Sequence, residues 1–401
     1  MKLSMSLLGV VVMAVLLSCG RAAVSQCDSV TENSDRAVSD LTAEALNMAD
    51  SLLATMSLEQ RVGQCFMPTI FSRCDSVTLT RLQDYIGRLQ VGGVVLLKGD
   101  LRSAAEMAVM VSNAPVAMFT AIDAEWGLGM RLMDAPNFPR NGQLSPVADE
   151  QILFDYGREV ARECRRVGIN MVLGPVVDVV ENPRGVIGSR SFGSDPKRVA
   201  DLGVAYARGV ESGDVLSVAK HFPGHGSPTA DSHKTLPMIG RSLHQLDSID
   251  LYPFRSYINA GLSGVMVGHL AVPAIDPDAL PAAVSPVVIQ DLLRDELGFR
   301  GLVVTDALNM GGAEGYGAKS AFLAGADLVV GPSDTEGEIV AVVEAVKSGE
   351  VDEAVMAAHC HRILFYKSLL GLHALSFSIL DELQEDVASE ASSIRERLLP
   401  H

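Results

Sequence analysis

The sequence predicts an α/β fold in which one parallel sheet closes into a single (β/α)8 barrel of the TIM type. Short, continuous apolar runs recur eight times along the 401-residue chain, and stretches with helical periodicity lie between them. Five of the runs end on a charged or imidazole side chain, and the carboxyl ends of barrel strands are where such folds carry their chemistry. A doubly wound open sheet is the alternative, although no Gly-x-Gly-x-x-Gly turn follows the first run.

The order of the predicted elements follows from these runs. Continuous apolar runs of this length are typical of strands that are buried on both faces of a sheet. We predict strands at 64–70, 92–97, 116–123, 169–178, 216–221, 264–269, 302–306 and 326–331. Amphipathic helices that cover the sheet are predicted at 78–89, 152–167, 197–212, 286–297 and 337–347.

The first residues predict export from the cytoplasm. An apolar run from Leu7 to Leu17 follows Lys2, and it is too short to span a bilayer. The run ends at Ser18-Cys19 in a pattern that resembles a bacterial lipobox. We therefore predict a lipoprotein signal peptide at 1–18, a lipid anchor to the membrane at Cys19, and a place in the cell envelope, periplasmic or at the outer membrane. Plain secretion, with cleavage near Ala22, is the alternative. A tether and first helix are predicted at 19–51.

Composition narrows the classes of ligand. The net charge of −17 argues against a nucleic-acid partner or an anionic membrane surface, so a small neutral or amphoteric ligand is expected. The single tryptophan, Trp126, favours a compact pocket over a long polysaccharide groove, which needs several aromatic platforms. Five cysteines remain besides Cys19, without a C-x-x-C pair or regular spacing, so neither a disulfide framework nor a zinc site is predicted.

Candidate site residues lie where the predicted strands end. These residues are Asp123, Asp178, Lys220 with His221, His269 and Asp306. A single carboxylate at such a position is often a helix cap or part of a structural ion pair. Five such endings in one chain instead indicate a shared site at one end of a barrel.

The segment 220–237 concentrates titratable groups. It holds three of the nine histidines of the chain, within a framework of glycine and proline. In the pair Asp231-x-His233 the carboxylate can orient the ring and leave its other nitrogen free for proton transfer. A metal site formed by His221, His225 and this pair is the alternative. Pro223 and Gly224 argue against it, because they interrupt any helix that would align the first two histidines. No metal is therefore expected.

Several segments resemble glycoside hydrolase family 3, and within it the β-N-acetylglucosaminidase branch that trims peptidoglycan fragments. The resemblance covers about residues 52 to 372. The segments that carry it are Lys220-His-Phe-Pro-Gly-His-Gly226, Asp231-Ser-His233, Val304-Thr-Asp-Ala-Leu-Asn-Met310, Ala121-Ile-Asp-Ala-Glu125, Gly174-Pro-Val-Val-Asp178 and Ile187-Gly-Ser-Arg-Ser-Phe192.

The resemblance implies a role for each matching residue. Asp306 matches the nucleophile, and His233 matches the general acid/base, oriented by Asp231. The residues that match groups holding the sugar are Asp123, Arg190, Lys220 and His221, with His269 as a further substrate-binding candidate. Asp178 and His225 lie in matching segments without a defined role. No cofactor is implied.

The resemblance also has limits. Where relatives often have Gly-Gly-Arg, this chain has Trp126-Gly-Leu-Gly-Met-Arg131, which leaves the preferred aglycone open. We expect one barrel at 52–372, without the second α/β sandwich domain of many family members, followed by an amphipathic helical tail at 373–401. The oligomeric state is left open.

The resulting hypothesis is an exo-acting, retaining β-N-acetylglucosaminidase that acts on small glycans, either peptidoglycan fragments or chito-oligosaccharides. Two alternatives remain. One is a β-N-acetylglucosaminide phosphorylase, because a histidine acid/base leaves room for phosphate to attack. The other is a sugar-binding lipoprotein that has lost its catalytic activity.

Overall fold

The computed structural model describes residues 28–146, 148–181, 185–226, 235–372 and 374–398, with side chains described from Asp40 onward. The predicted signal peptide, Cys19, Asp231 and His233 lie outside these residues.

The described strands are short and parallel. They are β1 (Phe66–Met67), β2 (Thr69–Phe71), β3 (Gly93–Leu97), β4 (Phe119–Ile122), β5 (Met171–Val172), β6 (Leu216–Phe222), β7 (Gly264–Val267), β8 (Leu302–Thr305) and β9 (Val329–Val330). Strands β2 to β8 pair in sequence order in one sheet, and β1 pairs with β9 in a second. A bridge between Val304 and Leu328 links β8 to the segment that leads into β9.

Helices alternate with the strands. The α-helices are α1 (Asp28–Thr55), α2 (Leu58–Gln64), α3 (Ser76–Gly87), α4 (Leu101–Ser112), α5 (Asn141–Leu144), α6 (Glu150–Val167), α7 (Pro196–Ser212), α8 (Leu243–Gln245), α9 (Leu251–Asn259), α10 (Ala318–Ala324), α11 (Thr335–Lys347), α12 (Glu353–Leu369), α13 (Leu383–Ala388) and α14 (Ala391–Leu398). Two π-helical segments occur at Leu246–Asp250 and Val287–Glu296, and short 3₁₀ turns at Leu128–Met130, Gly188–Arg190, Ala282–Val284, Gly311–Ala313 and Phe377–Leu380.

The prediction of an α/β fold with a curled parallel sheet is confirmed. A strand occurs within each of the eight predicted runs, although the first is divided at Pro68, which has no N–H to donate to a ladder. In the fourth and eighth runs the strand is only two residues long. The helix predicted at 286–297 has π-helical rather than α-helical hydrogen bonding.

Local chemistry explains where the main helices begin and end. Asp75, Asp100 and Asp149 precede α3, α4 and α6, and each carboxylate accepts a hydrogen bond from a backbone N–H of the first turn. Helix α6 ends at Gly168, whose φ of +89° is the left-handed conformation that glycine adopts without a steric cost. These ends place the helices against the sheet, where strand residues such as Phe119 are fully buried.

The two terminal regions are helical. Helix α1 begins at Asp28, within the range 19–51 predicted as a tether and first helix. The tail forms three short helical segments instead of one amphipathic helix. It is held against α6 by arginines: Arg162 donates to the Asp386 carbonyl (2.8 Å), and Arg397 pairs with Asp155 (2.6 Å).

Within the described residues, no helix is both long enough and apolar enough to cross a bilayer. Cys65, Cys74, Cys164 and Cys360 are free thiols.

Candidate active site

A pocket of about 430 Å³ opens at the carboxyl ends of the strands. Its wall brings together five of the residues predicted from sequence, namely Asp123, Arg190, Lys220, His221 and Asp306. It also includes Glu125, Trp126, Met130, Arg131, His225 and Met310. Residues that lie more than 180 positions apart in the chain therefore share one cavity, as expected when parallel strands end at the same edge.

Lys220 connects two carboxylates on the pocket wall. It lies in β6, its side chain is almost fully buried, and its Nζ is 2.7 Å from Asp123 Oδ1 and 2.9 Å from Glu125 Oε1. Burial alone would lower the pKa of Lys220, but the two carboxylates raise it above its usual value. The lysine is therefore held as a cation at the pocket.

Two arginines complete this charged cluster, which we define as Asp123, Glu125, Arg131, Arg190 and Lys220. Arg190 donates to both oxygens of Glu125, at 2.7 and 2.9 Å, and Arg131 pairs with the second oxygen of Asp123. Burial would raise the pKa of both acids. The cations prevail, so that the pKa of Glu125 falls to about 2 and that of Asp123 lies below its usual range. Both acids stay ionised at neutral pH.

Glu125 and Arg131 were missed as site residues by the sequence analysis. The signal for Glu125 was present, because residues i and i+2 of an extended segment project to the same side and Asp123 was already a candidate. Arg131 had no such signal, since the turn at Leu128–Met130 is what returns its guanidinium to Asp123.

Asp178 fixes the end of β6. Its Oδ2 is 2.8 Å from His221 Nδ1, and its Oδ1 accepts from the backbone N–H groups of His221 (3.1 Å) and His225 (2.7 Å). The His221 Nδ1 therefore carries the proton in this pair, and the Nε2 remains available to the pocket. Burial alone would raise the pKa of Asp178. The two histidines and the backbone N–H groups outweigh this effect and lower the pKa, because they stabilise the ionised form.

Asp306 follows β8 directly and lies on the pocket wall. Its backbone N–H donates to the Val267 carbonyl (2.9 Å), and its Oδ1 accepts from the Ala307 N–H (2.8 Å). Burial would raise the pKa of Asp306. His221, His269, the Ala307 N–H and Lys220 together lower it below its usual value, which keeps the carboxylate ionised and available as a nucleophile or base.

His269 lies behind this carboxylate. Its side chain is fully buried, and its Nε2 donates to the Ala307 carbonyl at 3.1 Å. Burial lowers the pKa of His269, which favours the neutral ring. These contacts support the Asp306–Ala307 turn, and the substrate-binding role of His269 stays a prediction.

The predicted acid/base pair cannot be placed in this pocket, because Asp231 and His233 lie outside the described residues. Their roles stay predictions. Within the described part of the chain no group of three or more histidine, cysteine or acidic side chains is arranged to hold a metal ion. What the described wall provides is an ionised carboxylate next to a set of fixed charged donors and acceptors.

Comparison with known proteins identifies the family of the chain. Residues 57–365 match the glycosyl hydrolase family 3 N-terminal domain. A β-hexosaminidase of Nitrosomonas eutropha is 34% identical over 256 residues, which cover 60% of this chain and 73% of the relative. A β-N-acetylglucosaminidase/β-glucosidase of Cellulomonas fimi is 30% identical over 361 residues, and the chain spans only 63% of its length.

A solved structure agrees with this match. The glycoside hydrolase family 3 β-N-acetylglucosaminidase from Paenibacillus sp. str. FPU-7 aligns with a TM-score of 0.74 at 30% identity, over 84% of this chain and 69% of that one. The chain therefore belongs to glycosyl hydrolase family 3, and it is a glycoside hydrolase on the branch that includes β-hexosaminidases and β-N-acetylglucosaminidases.

Proposed function

We propose that this protein is an exo-acting, retaining β-N-acetylglucosaminidase that releases terminal N-acetylglucosamine from peptidoglycan fragments or chito-oligosaccharides. The observation that carries the proposal is the position of Asp306. Its ionised carboxylate lies on the wall of a pocket that also presents the fixed charges of the charged cluster. A retaining glycosidase needs such a nucleophile close to the anomeric carbon of the bound sugar.

The charged cluster is suited to hold the terminal sugar. Hydroxyl groups both donate and accept, and the pocket offers them carboxylate oxygens of Asp123 beside the ammonium of Lys220. Because each charge of the cluster is already paired with an opposite charge, a neutral sugar can bind without leaving a buried charge unpaired. The Nε2 of His221 adds a further polar contact from the end of β6.

The reaction proceeds by double displacement. An oxygen of Asp306 attacks the anomeric carbon while the bond to the leaving oxygen breaks, and His233, oriented by Asp231, protonates that oxygen. His233 then removes a proton from a water molecule that attacks the glycosyl–Asp306 ester, which releases the sugar with its configuration retained. A histidine suits this role because its pKa begins near 6.5, and because it places no second negative charge beside the nucleophile.

The barrel and the anchor are part of the proposal. We propose that the sheet forms a single (β/α)8 barrel, and the hydrogen bonds from Leu308 to Val330 and from Val329 to Cys65, between the ends of β8, β9 and β1, support this. Cys19 carries a lipid that ties the protein to the cell envelope. Mass spectrometry of the mature N-terminus tests the anchor, and a Cys19 without acyl chains would contradict it.

Aryl glycosides test the substrate class. We expect the purified protein to release nitrophenol from the N-acetylglucosaminide faster than from the glucoside, the xyloside or the N-acetylgalactosaminide. A preference for the glucoside or the xyloside would overturn the proposal. In the His233→Ala variant the loss of activity should be larger for glycosides with poor leaving groups, because these depend most on protonation.

The same assay separates hydrolysis from phosphorolysis. We expect free N-acetylglucosamine as the product, at the same rate with and without inorganic phosphate. N-acetylglucosamine 1-phosphate as the main product would replace hydrolysis by phosphorolysis. Complete absence of turnover would instead favour a sugar-binding protein.

A further inference from the structure

Trp126 is the only tryptophan of the chain, and it lies on the wall of the active-site pocket. It is half-buried, and it directly follows Glu125 of the charged cluster. The mechanism described above gives this ring no role. An indole ring in such a position is costly to leave in contact with water, and it offers a flat apolar surface to a ligand.

Arg140 covers one side of the indole. Its guanidinium carbon is 4.4 Å from the ring centroid, within the range of a cation–π contact, and its Nη1 donates to Ser189 Oγ at 3.3 Å. Arg140 itself is exposed and does not line the pocket. Because the guanidinium occupies one face of the ring, a ligand in the pocket can stack only on the opposite face.

The backbone holds Trp126 rigidly. Its carbonyl accepts from the Phe138 N–H at 3.1 Å, and the next residue, Gly127, has a φ of +84°. A Cβ at Gly127 would lie 2.5 Å from the Phe138 ring, so only glycine fits this turn. The backbone that carries the indole is therefore fixed by local contacts, which lowers the cost of ordering this part of the pocket when a ligand binds.

The apolar side chains of the wall differ in kind from the charged cluster. The charged groups pair with one another and carry the polar atoms of the wall, whereas Trp126, Met130 and Met310 contribute mainly apolar surface. A pyranose ring has both kinds of surface, because its hydroxyls lie around the rim and its C–H groups cover the faces. The face of a second sugar ring thus complements the indole, with the methionines adapting around it.

We propose that Trp126 forms the subsite for the leaving group, where its indole stacks on the pyranose ring of the sugar attached to the terminal N-acetylglucosamine. This inference rests on the proposed function and names its substrate class. The natural substrates are glycans whose second unit is a sugar, rather than N-acetylglucosaminides of small alcohols or amino acids.

The test compares two substrates that differ only in the leaving group. One is the β-1,4-linked disaccharide of N-acetylglucosamine, and the other is methyl β-N-acetylglucosaminide, whose leaving group has no ring to stack. For Trp126→Ala we expect kcat/KM on the disaccharide to fall about 10-fold, with kcat/KM on the methyl glycoside unchanged within about 2-fold. Trp126→Phe, which keeps an aromatic face, should retain most of the activity on the disaccharide.

Met133→Ala is the matched control. Met133 lies in the same loop, is 83% exposed and does not line the pocket, so its removal should change neither substrate. Inhibition by free N-acetylglucosamine, which needs only the charged end of the pocket, should be the same for Trp126→Ala and the wild type.

Each other outcome counts against the proposal in a distinct way. An equal loss on both substrates, or weaker inhibition by the free sugar, would mean that Trp126 supports the site of the terminal sugar, and would overturn the proposal. No change on the disaccharide would overturn it as well. Failure of the wild type to cleave either substrate would reject the proposed function itself, and the inference with it.

Discussion

The two ends of the sheet both hold buried carboxylates between cations, but only the charges at the carboxyl ends line the pocket of Asp306. At the carboxyl ends, the charged cluster joins Lys220 and two arginines to Asp123 and Glu125. At the amino ends, Asp327 precedes β9 and pairs with Arg294 (2.7 Å), His359 (2.8 Å) and Arg362. We call these four residues the Asp327 cluster.

The two clusters differ in whether their polar atoms line a cavity in which a ligand could bind beside Asp306. In the Asp327 cluster the carboxylate also accepts from the Val303 N–H (2.8 Å), and Arg294 also donates to the Phe299 and Gly301 carbonyls. The polar atoms of that cluster thus bind one another and backbone groups near the ends of strands, so the cluster has a structural role. The charged cluster lines a cavity beside Asp306. Buried ion pairs alone therefore do not mark a functional site, whereas ion pairs on a cavity wall next to a poised carboxylate do.

Removal of the nucleophile should have the largest effect on the open end. We expect Asp306→Gly to lower kcat on an aryl N-acetylglucosaminide by at least about 1,000-fold, because the covalent step is lost. Sodium azide should restore part of the aryl release and give the glycosyl azide of opposite anomeric configuration. Asp201→Asn, at an exposed pair with Lys197, is the control and should retain full activity. Retained activity in Asp306→Gly without azide would reject this residue as the nucleophile.

The Asp327 cluster should respond in stability rather than in catalysis. Asp327→Asn leaves Arg294 and Arg362 without a buried counter-ion, and we expect the free energy of unfolding to fall by roughly 3–5 kcal/mol. Urea unfolding measures this loss, and activity per folded molecule should stay within about 2-fold of the wild type. Glu336→Gln, which removes an exposed partner of Arg88, should leave the urea midpoint unchanged. Equal midpoints for both variants would contradict a structural role of the cluster.

Lys367 lies at the same end of the sheet as the Asp327 cluster, and its burial predicts that the stability of the protein depends on pH. Burial lowers its pKa from 10.5 to about 7, and its Nζ donates to Gln64 Oε1 at 2.5 Å. Between these pH values the unfolded chain binds a proton that the folded chain has lost, so the stability of the wild type rises with pH.

The Lys367→Met variant lacks this proton release. Its stability relative to the wild type should therefore decline by on the order of 3 kcal/mol as the pH rises from 7 to 10. Thermal or urea unfolding of both proteins across this range measures the trend. A constant difference between them would show that Lys367 keeps its proton when folded.

Glu125→Gln should have the smallest effect of the set. A glutamine keeps the shape of the side chain but cannot accept the bidentate pair from Arg190 or balance the charge of Lys220. We expect kcat/KM to fall about 10- to 100-fold, mainly through a higher KM, because the groups that hold the sugar lose their alignment. Steady-state kinetics on the aryl substrate test this, and a fall in kcat with an unchanged KM would assign Glu125 to the chemical step instead.

Much of this arrangement was predictable from sequence, residue by residue. Asp306 was found because an apolar strand ends on it and because the residues around it match a family motif. Glu125 was missed although it lies two residues from Asp123, since its burial and its pairing with Arg190 depend on a contact across 65 positions. His269 was placed among the site residues because its strand ends there, and only the structure shows that its Nε2 donates to the Ala307 carbonyl.

The sequence by itself determined the order of strands and helices, the parallel sheet, and the edge of the sheet at which the site lies. Those features depend on periodicities of a few residues, which a linear pattern records directly. Only the tertiary structure decided that Lys220 joins Asp123 to Glu125, that Arg140 covers Trp126, and that Asp327 pairs with Arg294, His359 and Arg362. Such pairings depend on strand register and helix packing across the sheet, because a charge finds its partner only after the strands between them have come together.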